Sequence, residues 1–270
     1  MNILLNLRAV KGRAYPRIIG ALREPSWMFW ETFLPLLSIA AFVYVYRSLN
    51  APKEFEGFVI LGGIMTSYWL NVLWGMAAQL YWEKETANLQ LYLVAPMSKM
   101  SILAGMALGG MFSTSVRSIS VLLIGIFIFK VEFIITSIWL LIAIFLITLF
   151  ALYGMGMFFA SLFLMWGREA WHINMLLQEP VYFLSGQSFP VKALGSVSAF
   201  ACIIPFTLGL DAMRQLTFPS MAEKWGLLPA ELEFFILVIM SIFLIWFARL
   251  SLNHMERLGR EKGTLTMRWQ

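Results

Sequence analysis

Charged residues are scarce in this sequence. Only 13% of its 270 residues are Asp, Glu, Lys or Arg, whereas 60% are hydrophobic. Soluble globular domains carry about 25% charged residues. A water-soluble fold of this size could not bury so much apolar surface, so composition favours an integral membrane protein.

Residues that carry enzyme chemistry are also few. The chain has a single cysteine, Cys202, and two histidines, and it contains no HExxH, CxxC, GxSxG or GxxxxGK[ST] pattern. One cysteine cannot form an intrachain disulfide. We therefore expect no catalytic residue, no metal site and no cofactor on this chain. If ATP powers the protein, another chain must bind it.

Long uncharged runs are abundant instead. Residues 58–82 and 133–166 contain no charge over 25 and 34 positions, and about 20 mainly apolar residues suffice to cross a bilayer as a helix. The alternation expected of barrel strands is missing. We predict an all-α membrane protein with six transmembrane helices. The predicted spans are 27–46, 58–82, 101–129, 133–164, 171–190 and 232–252.

The segments that flank the spans are basic. Residues 1–26 have apolar side chains at helical spacing between cations, which predicts an interfacial helix, with a solvated basic arm as the alternative. Pro16 should kink this helix, and Arg17 falls close to its apolar stripe. Residues 27–252 form the predicted membrane domain, and residues 253–270 a basic tail.

Lys and Arg also predict the orientation. With six spans, thirteen cations lie on the side of both termini and six on the other, so the positive-inside rule places both termini in the cytoplasm of a plasma (inner) membrane. This distribution explains the net charge of +5 without a nucleic-acid partner. Residues 193–210 contain Gly195, Pro205 and Gly209, which predicts a re-entrant or interfacial hairpin packed on protein, on the outer side before the last span.

The loop after the second span has a distinctive pattern. A Glu-rich turn precedes a short amphipathic helix and then a Pro-x-Ser break, which predicts a rigid cytoplasmic protrusion. The segment resembles the permeases of ABC-2 type exporters, whose pattern is Glu-Glu-x-Gly-Thr-Leu-Glu-x-Leu followed by Pro-x-Ser and Ile-Leu-x-Gly. Ala87 and Asn88 stand where Gly and Thr are common, and Met106 where Lys is common. The matching residues are Glu83, Glu85, Leu89, Leu91, Pro96, Ser98, Ile102, Leu103 and Gly105.

Two later segments extend the resemblance. Residues 204–214 are similar to the family's Asn-Pro-Leu-Thr-x-x-x-Asp-x-x-Arg segment, with Ile204 in place of Asn, and residues 184–190 to its Ser-Gly-x-x-Phe-Pro turn. The resemblance implies a homodimeric permease bound to two ABC ATPase subunits that carry ATP and Mg²⁺. It assigns a coupling helix, seated in the ATPase, to Glu83, Glu85, Leu89, Leu93, Pro96 and Ser98. It assigns an outer gate hairpin to Pro205, Phe206, Asp211 and Arg214.

Ionisable residues inside the predicted spans need partners because an unpaired charge in lipid is costly. Glu31, Arg117 and Glu179 are of this kind, and we expect Arg117 to pair with Glu179 or Glu31. Asp211 and Arg214, three residues apart, are expected to pair on one helical turn. The Gly105-x-x-x-Gly109 motif permits close helix packing and is compatible with a dimer.

The sequence thus favours the permease of an ATP-driven exporter for a hydrophobic or amphipathic compound, such as a drug-like molecule, a lipid or a lipid-linked glycan. Besides membrane lipids, its expected partners are the ATPase and a second copy of the chain. The alternative is an ion-coupled transporter or channel without an ATPase, in which the three intramembrane ionisable residues would form the path. An intramembrane enzyme lacks a recognisable catalytic set.

Overall fold

The computed structural model describes residues 3–166 and 169–261. Helix covers 86% of these described residues, and no β-strand occurs among them. The elements are α1 (Ile3–Arg23), α2 (Pro25–Ser48), α3 (Glu54–Leu70), a π-helical segment (Asn71–Ala77), α4 (Gln79–Glu85), α5 (Asn88–Val94), α6 (Lys99–Phe127), α7 (Ile138–Trp166), α8 (Glu169–Ser185), a 3₁₀ segment (Val191–Val197), α9 (Ser198–Ala201), α10 (Pro205–Thr217), α11 (Pro219–Trp225) and α12 (Ala230–Glu261).

Five stretches of the described residues are long and apolar enough to cross a membrane, which confirms the predicted multi-pass, all-helical fold. The prediction of six spans stays a prediction. Its fifth span corresponds to α8, whose 17 residues include Pro180 and rise about 25 Å, less than the roughly 30 Å of a hydrocarbon core. The five stretches are Met28–Ser48, Glu54–Glu85 (α3, the π segment and α4), Lys99–Phe127, Ile138–Phe163 and Ala230–Glu261.

The N-terminal helix packs lengthwise along the first half of α6. A Cβ added to Gly105 would lie 2.7 Å from the backbone oxygen of Val10, and one added to Gly109 would lie 3.2 Å from that of Ala14. Only glycine therefore allows this approach. The GxxxG motif, which the sequence left compatible with a dimer, makes a contact within the chain. α1 remains a single helix through Pro16, and its position relative to the bilayer stays a prediction.

The long helices α7 and α12 pack against each other. The hydroxyls of Ser161 and Ser251 are 2.6 Å apart, and the rings of Phe158 and Phe247 lie 4.9 Å apart. A hydroxyl pair satisfies polar atoms that lipid could not.

α10 lies at the end of the bundle opposite α4 and α5, in contact with α3, α7 and α12. Pro205 opens it at a position where the missing N–H costs no hydrogen bond, and Gly209 faces Thr148 of α7 without room for a Cβ. Almost every residue of α10 is buried. The hairpin therefore packs on protein, while its re-entrant depth in the bilayer stays a prediction.

Candidate functional sites

The segment between α3 and α6 forms a compact helical hairpin. α4 ends at Glu85, and Ala87 reverses the chain with a left-handed backbone conformation (φ +63°) before α5 begins at Asn88. Ala95 is extended (ψ 139°), which ends α5. The amide of Ser98 donates to Asn6 Oδ1 of α1 at 2.9 Å. The hairpin is thus held at both ends.

Glu83 makes the polar contacts that fix this hairpin to α1. It is 3% exposed and forms an ion pair with Arg13. It also accepts hydrogen bonds from Gln79 Nε2 at 3.0 Å and from the Tyr92 hydroxyl at 3.3 Å. The Arg13 guanidinium lies over the Tyr92 ring, 5.6 Å from its centre. Burial raises the pKa of the Tyr92 hydroxyl, and the charge of Arg13 acts in the opposite direction.

Leu89 is the apolar counterpart of this anchor. It is 4% exposed, and the small cavity beside it is lined by Leu103 of α6 and Leu252 of α12. Glu83 and Leu89 were both expected to form the docking seat. Both face the protein interior, since Glu83 is a buried acid paired with the half-buried Arg13 and Leu89 is part of the core. They hold the hairpin in place.

The exposed face of α5 carries different residues. Leu91 is 69% and Val94 85% exposed, and Pro96 beyond the helix is also exposed. The side chain of Leu93, the other leucine expected in the seat, lies outside the described side chains. The i, i+3 spacing of Leu91 and Val94 places them on one face of α5.

At the opposite end of the bundle, Arg214 joins two of the sequence motifs. This buried guanidinium donates to the backbone oxygens of Gly186, Gln187 and Phe58, each at 2.8 Å, and to that of Phe189 at 3.2 Å. Gly186 adopts φ +61°, which suits glycine in the turn that presents these carbonyls. The Ser-Gly-x-x-Phe-Pro turn is therefore clamped to α3 and α10 by one side chain.

Asp211 turns away from Arg214, and the predicted ion pair between them does not form. Its Oδ2 accepts hydrogen bonds from the Leu227 amide at 2.9 Å and from Gln215 Nε2 at 2.8 Å. Burial raises the pKa of the Asp211 carboxyl, and these two hydrogen bonds act in the opposite direction. Sequence spacing could not foresee this result, because four carbonyls compete for Arg214.

A cavity of about 860 Å³ lies between α1, α2, the π segment and α6. Inside it, Arg117 Nη1 lies 2.7 Å from Glu31 Oε2, and Arg117 Nη2 donates to Thr114 at 3.1 Å. The lining residues are Arg17, Gly20, Ala21, Glu24, Met28, Trp30, Glu31, Leu34, Pro35, Leu70, Asn71, Trp74, Gly75, Ser113 and Arg117.

Part of the cavity wall is the π segment. π-helical turns leave backbone groups out of register and occur often at functional sites. Here Asn174 Nδ2 of α8 donates to the backbone oxygen of Leu73 at 2.9 Å. Side chains of the segment are also held by neighbouring helices, since the Tyr153 hydroxyl donates to Asn71 Oδ1 at 2.9 Å. Trp74 Nε1 donates to Gln178 at 2.7 Å. The irregular turn is therefore held in one conformation.

Comparison with known families accounts for this layout. The profile of the ABC-2 type transporter family matches residues 16–218, from the middle of α1 through α10. The chain belongs to the ABC-2 type transporter family. It is accordingly the permease, the membrane component, of an ABC transporter, a class of protein that works with ABC ATPase partners. A comparison with curated proteins finds no match.

The structure selects one of the two partners that the sequence offered for Arg117 of this permease. Arg117 pairs with Glu31, one of its two expected partners. Glu179 lies on α8, where it is exposed and accepts a hydrogen bond from Gln178 at 3.0 Å. The three ionisable residues, which would form the path of an ion-coupled transporter under the alternative hypothesis, therefore do not lie together in the described part of this chain.

Three residues of the candidate sites were not predicted from the sequence. Arg13 binds Glu83, while Arg17 and Asn71 line the cavity. Burial lowers the pKa of Arg17, the neighbouring charges of Arg13 and Arg117 act in the same direction, and the influences of Tyr153 and Glu31 oppose them. The one available signal was the place of Arg17 beside the apolar stripe of α1.

Proposed function

We propose that this permease belongs to an ATP-driven exporter and that α5 docks on a separate ABC ATPase subunit. The observation that carries the proposal is the pair of apolar side chains, Leu91 and Val94, exposed on a short helix whose other face is anchored. α5 lies outside the candidate spans, so its exposed apolar side chains are better placed to bind a protein partner than to contact lipid.

The anchors of α5 supply a route for motion. Glu83 joins the hairpin to α1 through Arg13, and Leu89 packs where α6 and α12 meet. Because close-packed cores rearrange in discrete steps and do not deform smoothly, displacement of α5 would move these helices together. ATP-driven closure of an ATPase dimer would provide that displacement.

The resemblance to ABC-2 exporters supports a complex of two copies of this chain with two ATPase subunits, which bind ATP and Mg²⁺. α2 is the candidate surface for contact between the two copies, since most of it is exposed. The distribution of Lys and Arg supports a plasma (inner) membrane location with both termini in the cytoplasm.

The cargo that suits this chain is hydrophobic or amphipathic, for example a drug-like molecule, a lipid or a lipid-linked glycan. The spans are largely apolar, and the mid-span cation Arg117 is paired with Glu31. A gate role for the outer hairpin, with Pro205, Phe206, Asp211 and Arg214, is supported by the burial of α10 at the end of the bundle opposite α5.

The test is co-purification with candidate ABC ATPase subunits from the same source, with those of the adjacent reading frames first. Replacing Leu91 and Val94 together by Asp should lower recovery of the ATPase at least tenfold, because charges would enter the apolar contact. The matched control is Leu49→Asp, an equally exposed leucine (70%) in the loop between α2 and α3 at the other end of the spans.

In the control, recovery should stay within twofold of the unchanged protein. Equal losses in both variants would refute docking through α5. Transport by the purified permease alone, driven by an ion gradient, would replace the exporter proposal by the ion-coupled transporter.

A further inference from the structure

Two acidic side chains meet inside the end of the bundle where α10 packs on α12. Asp211 of α10 is 3% exposed, and Glu233, at the start of α12, is fully buried. Gln215 lies between them, with its Nε2 2.8 Å from Asp211 Oδ2 and 3.4 Å from Glu233 Oε2. The two carboxyl groups are also close enough to share a hydrogen bond. The pair therefore joins the hairpin helix α10 to the last candidate span.

The donors around the pair are too few for two ionised carboxylates. The amide of Gln215 has two N–H groups, and three acceptors compete for them, since the backbone oxygen of Leu228 lies 2.7 Å from Nε2. The two shorter contacts, to Leu228 and Asp211, use both hydrogens. Asp211 also accepts a hydrogen bond from the Leu227 amide. The backbone of Leu228 faces Glu233, yet Glu233 Oε1 is buried without a partner among the residues that the structure describes.

Positive charge does not make up for this shortage. The cation that acts on Asp211 is Arg214, whose guanidinium donates to four backbone oxygens. The Cys202 thiol is a further titratable group that lies near both acids, and α7, which packs on α10 and α12, contains no charged residue. Of the other charged residues described on the elements packed at this end, Glu56 pairs with Arg47, Glu54 accepts a hydrogen bond from Ser220, and the rest are exposed, namely Glu179, Lys192, Glu223, Lys224 and Glu231.

Two buried carboxyl groups in contact do not both ionise, because each charge disfavours the other and burial disfavours both. We propose that Asp211 and Glu233 form a binding site for one proton, which Glu233 holds and donates to Asp211, and that this proton fastens α10 to α12. The proton turns Glu233, which lacks donors, into a donor itself. Asp211 stays ionised and keeps its hydrogen bonds from Leu227 and Gln215. This site needs the permease chain alone and does not rest on the docking proposed for α5.

The proton links stability to pH in one direction. A glutamate in an unfolded chain is ionised above about pH 5, so near neutral pH the folded permease carries one proton more than the unfolded chain. Stability therefore falls as the pH rises, and the unfolding constant grows by up to about tenfold per pH unit until the pair loses its proton. Deprotonation leaves two charges in contact, so α10 should separate from α12 more readily at alkaline pH.

Infrared spectroscopy of the purified permease in an ester-free detergent tests for the proton directly, because a protonated carboxyl has a C=O stretching band apart from those of carboxylates. At pH 7 this band should be present, and it should shift in D₂O and disappear at alkaline pH. Glu233→Gln keeps the shape of the protonated acid and should remove the band, because Asp211 then ionises alone. The matched control is Glu231→Gln, an exposed acid two residues earlier in α12, which should leave the band unchanged.

Unfolding in detergent between pH 6 and pH 8 is the second measurement. The unfolding constant of the unchanged protein should rise more steeply with pH than that of Glu233→Gln, by up to about tenfold per pH unit. Glu231→Gln should follow the unchanged protein. Equal slopes for the unchanged protein and Glu233→Gln would overturn the proposal, as would the lack of a protonated-carboxyl band at pH 7 or its survival in Glu233→Gln.

Asp211→Asn decides if Glu233→Gln does not fold. This change alters the acceptor of the proton, so a lost or displaced band supports the shared proton, and an unchanged band refutes it. A metal cation is the other occupant that two carboxyls could bind, although Gln215 Nε2 already lies among the three oxygens. Loss of the band on adding sodium chloride at constant pH, but not choline chloride, would show a cation site and overturn the proposal.

Discussion

Ala87 holds a conformation that alanine adopts at a cost, and this makes a sharp prediction possible. Its φ of +63° lies in the left-handed region, which costs an L-residue about 1–2 kcal/mol. Glycine avoids that cost but loses about 0.5–1 kcal/mol more backbone entropy on folding. Ala87→Gly should therefore stabilise the hairpin of α4 and α5 by about 0.5–1 kcal/mol.

The matched control is the same substitution at the other end of α5. Ala95 has φ −65° and ψ 139°, an ordinary conformation for alanine, so Ala95→Gly should destabilise the hairpin by about 0.4–1 kcal/mol. Hydrogen exchange of the α5 amides under native conditions measures both, because local opening controls their exchange rate.

Exchange in Ala87→Gly should slow by about 2- to 5-fold, whereas in Ala95→Gly it should quicken by a similar factor. The reasoning would be refuted if the two variants moved exchange in the same direction. A change spread evenly over all helices would also count against it, since the strain is confined to one turn.

The remaining predictions concern packing and buried polar groups. Gly105→Val should separate α1 from α6 and lower the midpoint of thermal unfolding in detergent. The control Gly12→Ala, at a position with open space around it, should leave that midpoint unchanged or raise it. Equal effects of the two substitutions would contradict the close approach of α1 and α6. Arg214→Lys should destabilise the protein by about 2–4 kcal/mol in chemical unfolding, because an ammonium cannot reach four carbonyls, and exposed Lys192→Arg should change little. Glu256→Gln removes the carboxylate that pairs with both Lys99 of α6 and Arg260 of α12. Proteolysis near the end of α12 should therefore accelerate. An unchanged cleavage rate would show that these ion pairs do not hold the end of α12.

The sequence predicted the membrane helices well because their signal is local. An uncharged run long enough to cross a bilayer predicts a helix without any knowledge of its neighbours. At most helix ends, the observed bound lies within a few residues of the predicted one. The last helix is the largest exception, since α12 runs to Glu261 beyond the predicted end at residue 252. Polar residues can extend a helix past the bilayer, and hydropathy cannot register them.

Side-chain partners were harder to predict because they depend on packing between distant helices. The family resemblance assigned Leu89 to a surface that faces a partner, yet Leu89 is buried beside a small cavity that residues of α6 and α12 also line, and the sequence does not place these helices nearby. The choice of Glu31 over Glu179 for Arg117 likewise depends on how α2 lies along α6. The π segment carried no sequence signal, since its residues are as apolar as those of an ordinary span.

One helix connects the two sites described above. Arg13 of α1 binds Glu83 in the hairpin, and Arg17, a turn further along the same face, reaches the cavity; the two residues are about 6 Å apart along the axis. Thermodynamic reciprocity then links occupancy of the cavity to the position of α5. Any molecule that binds in the cavity more tightly in one position of the hairpin must favour that position by the same factor.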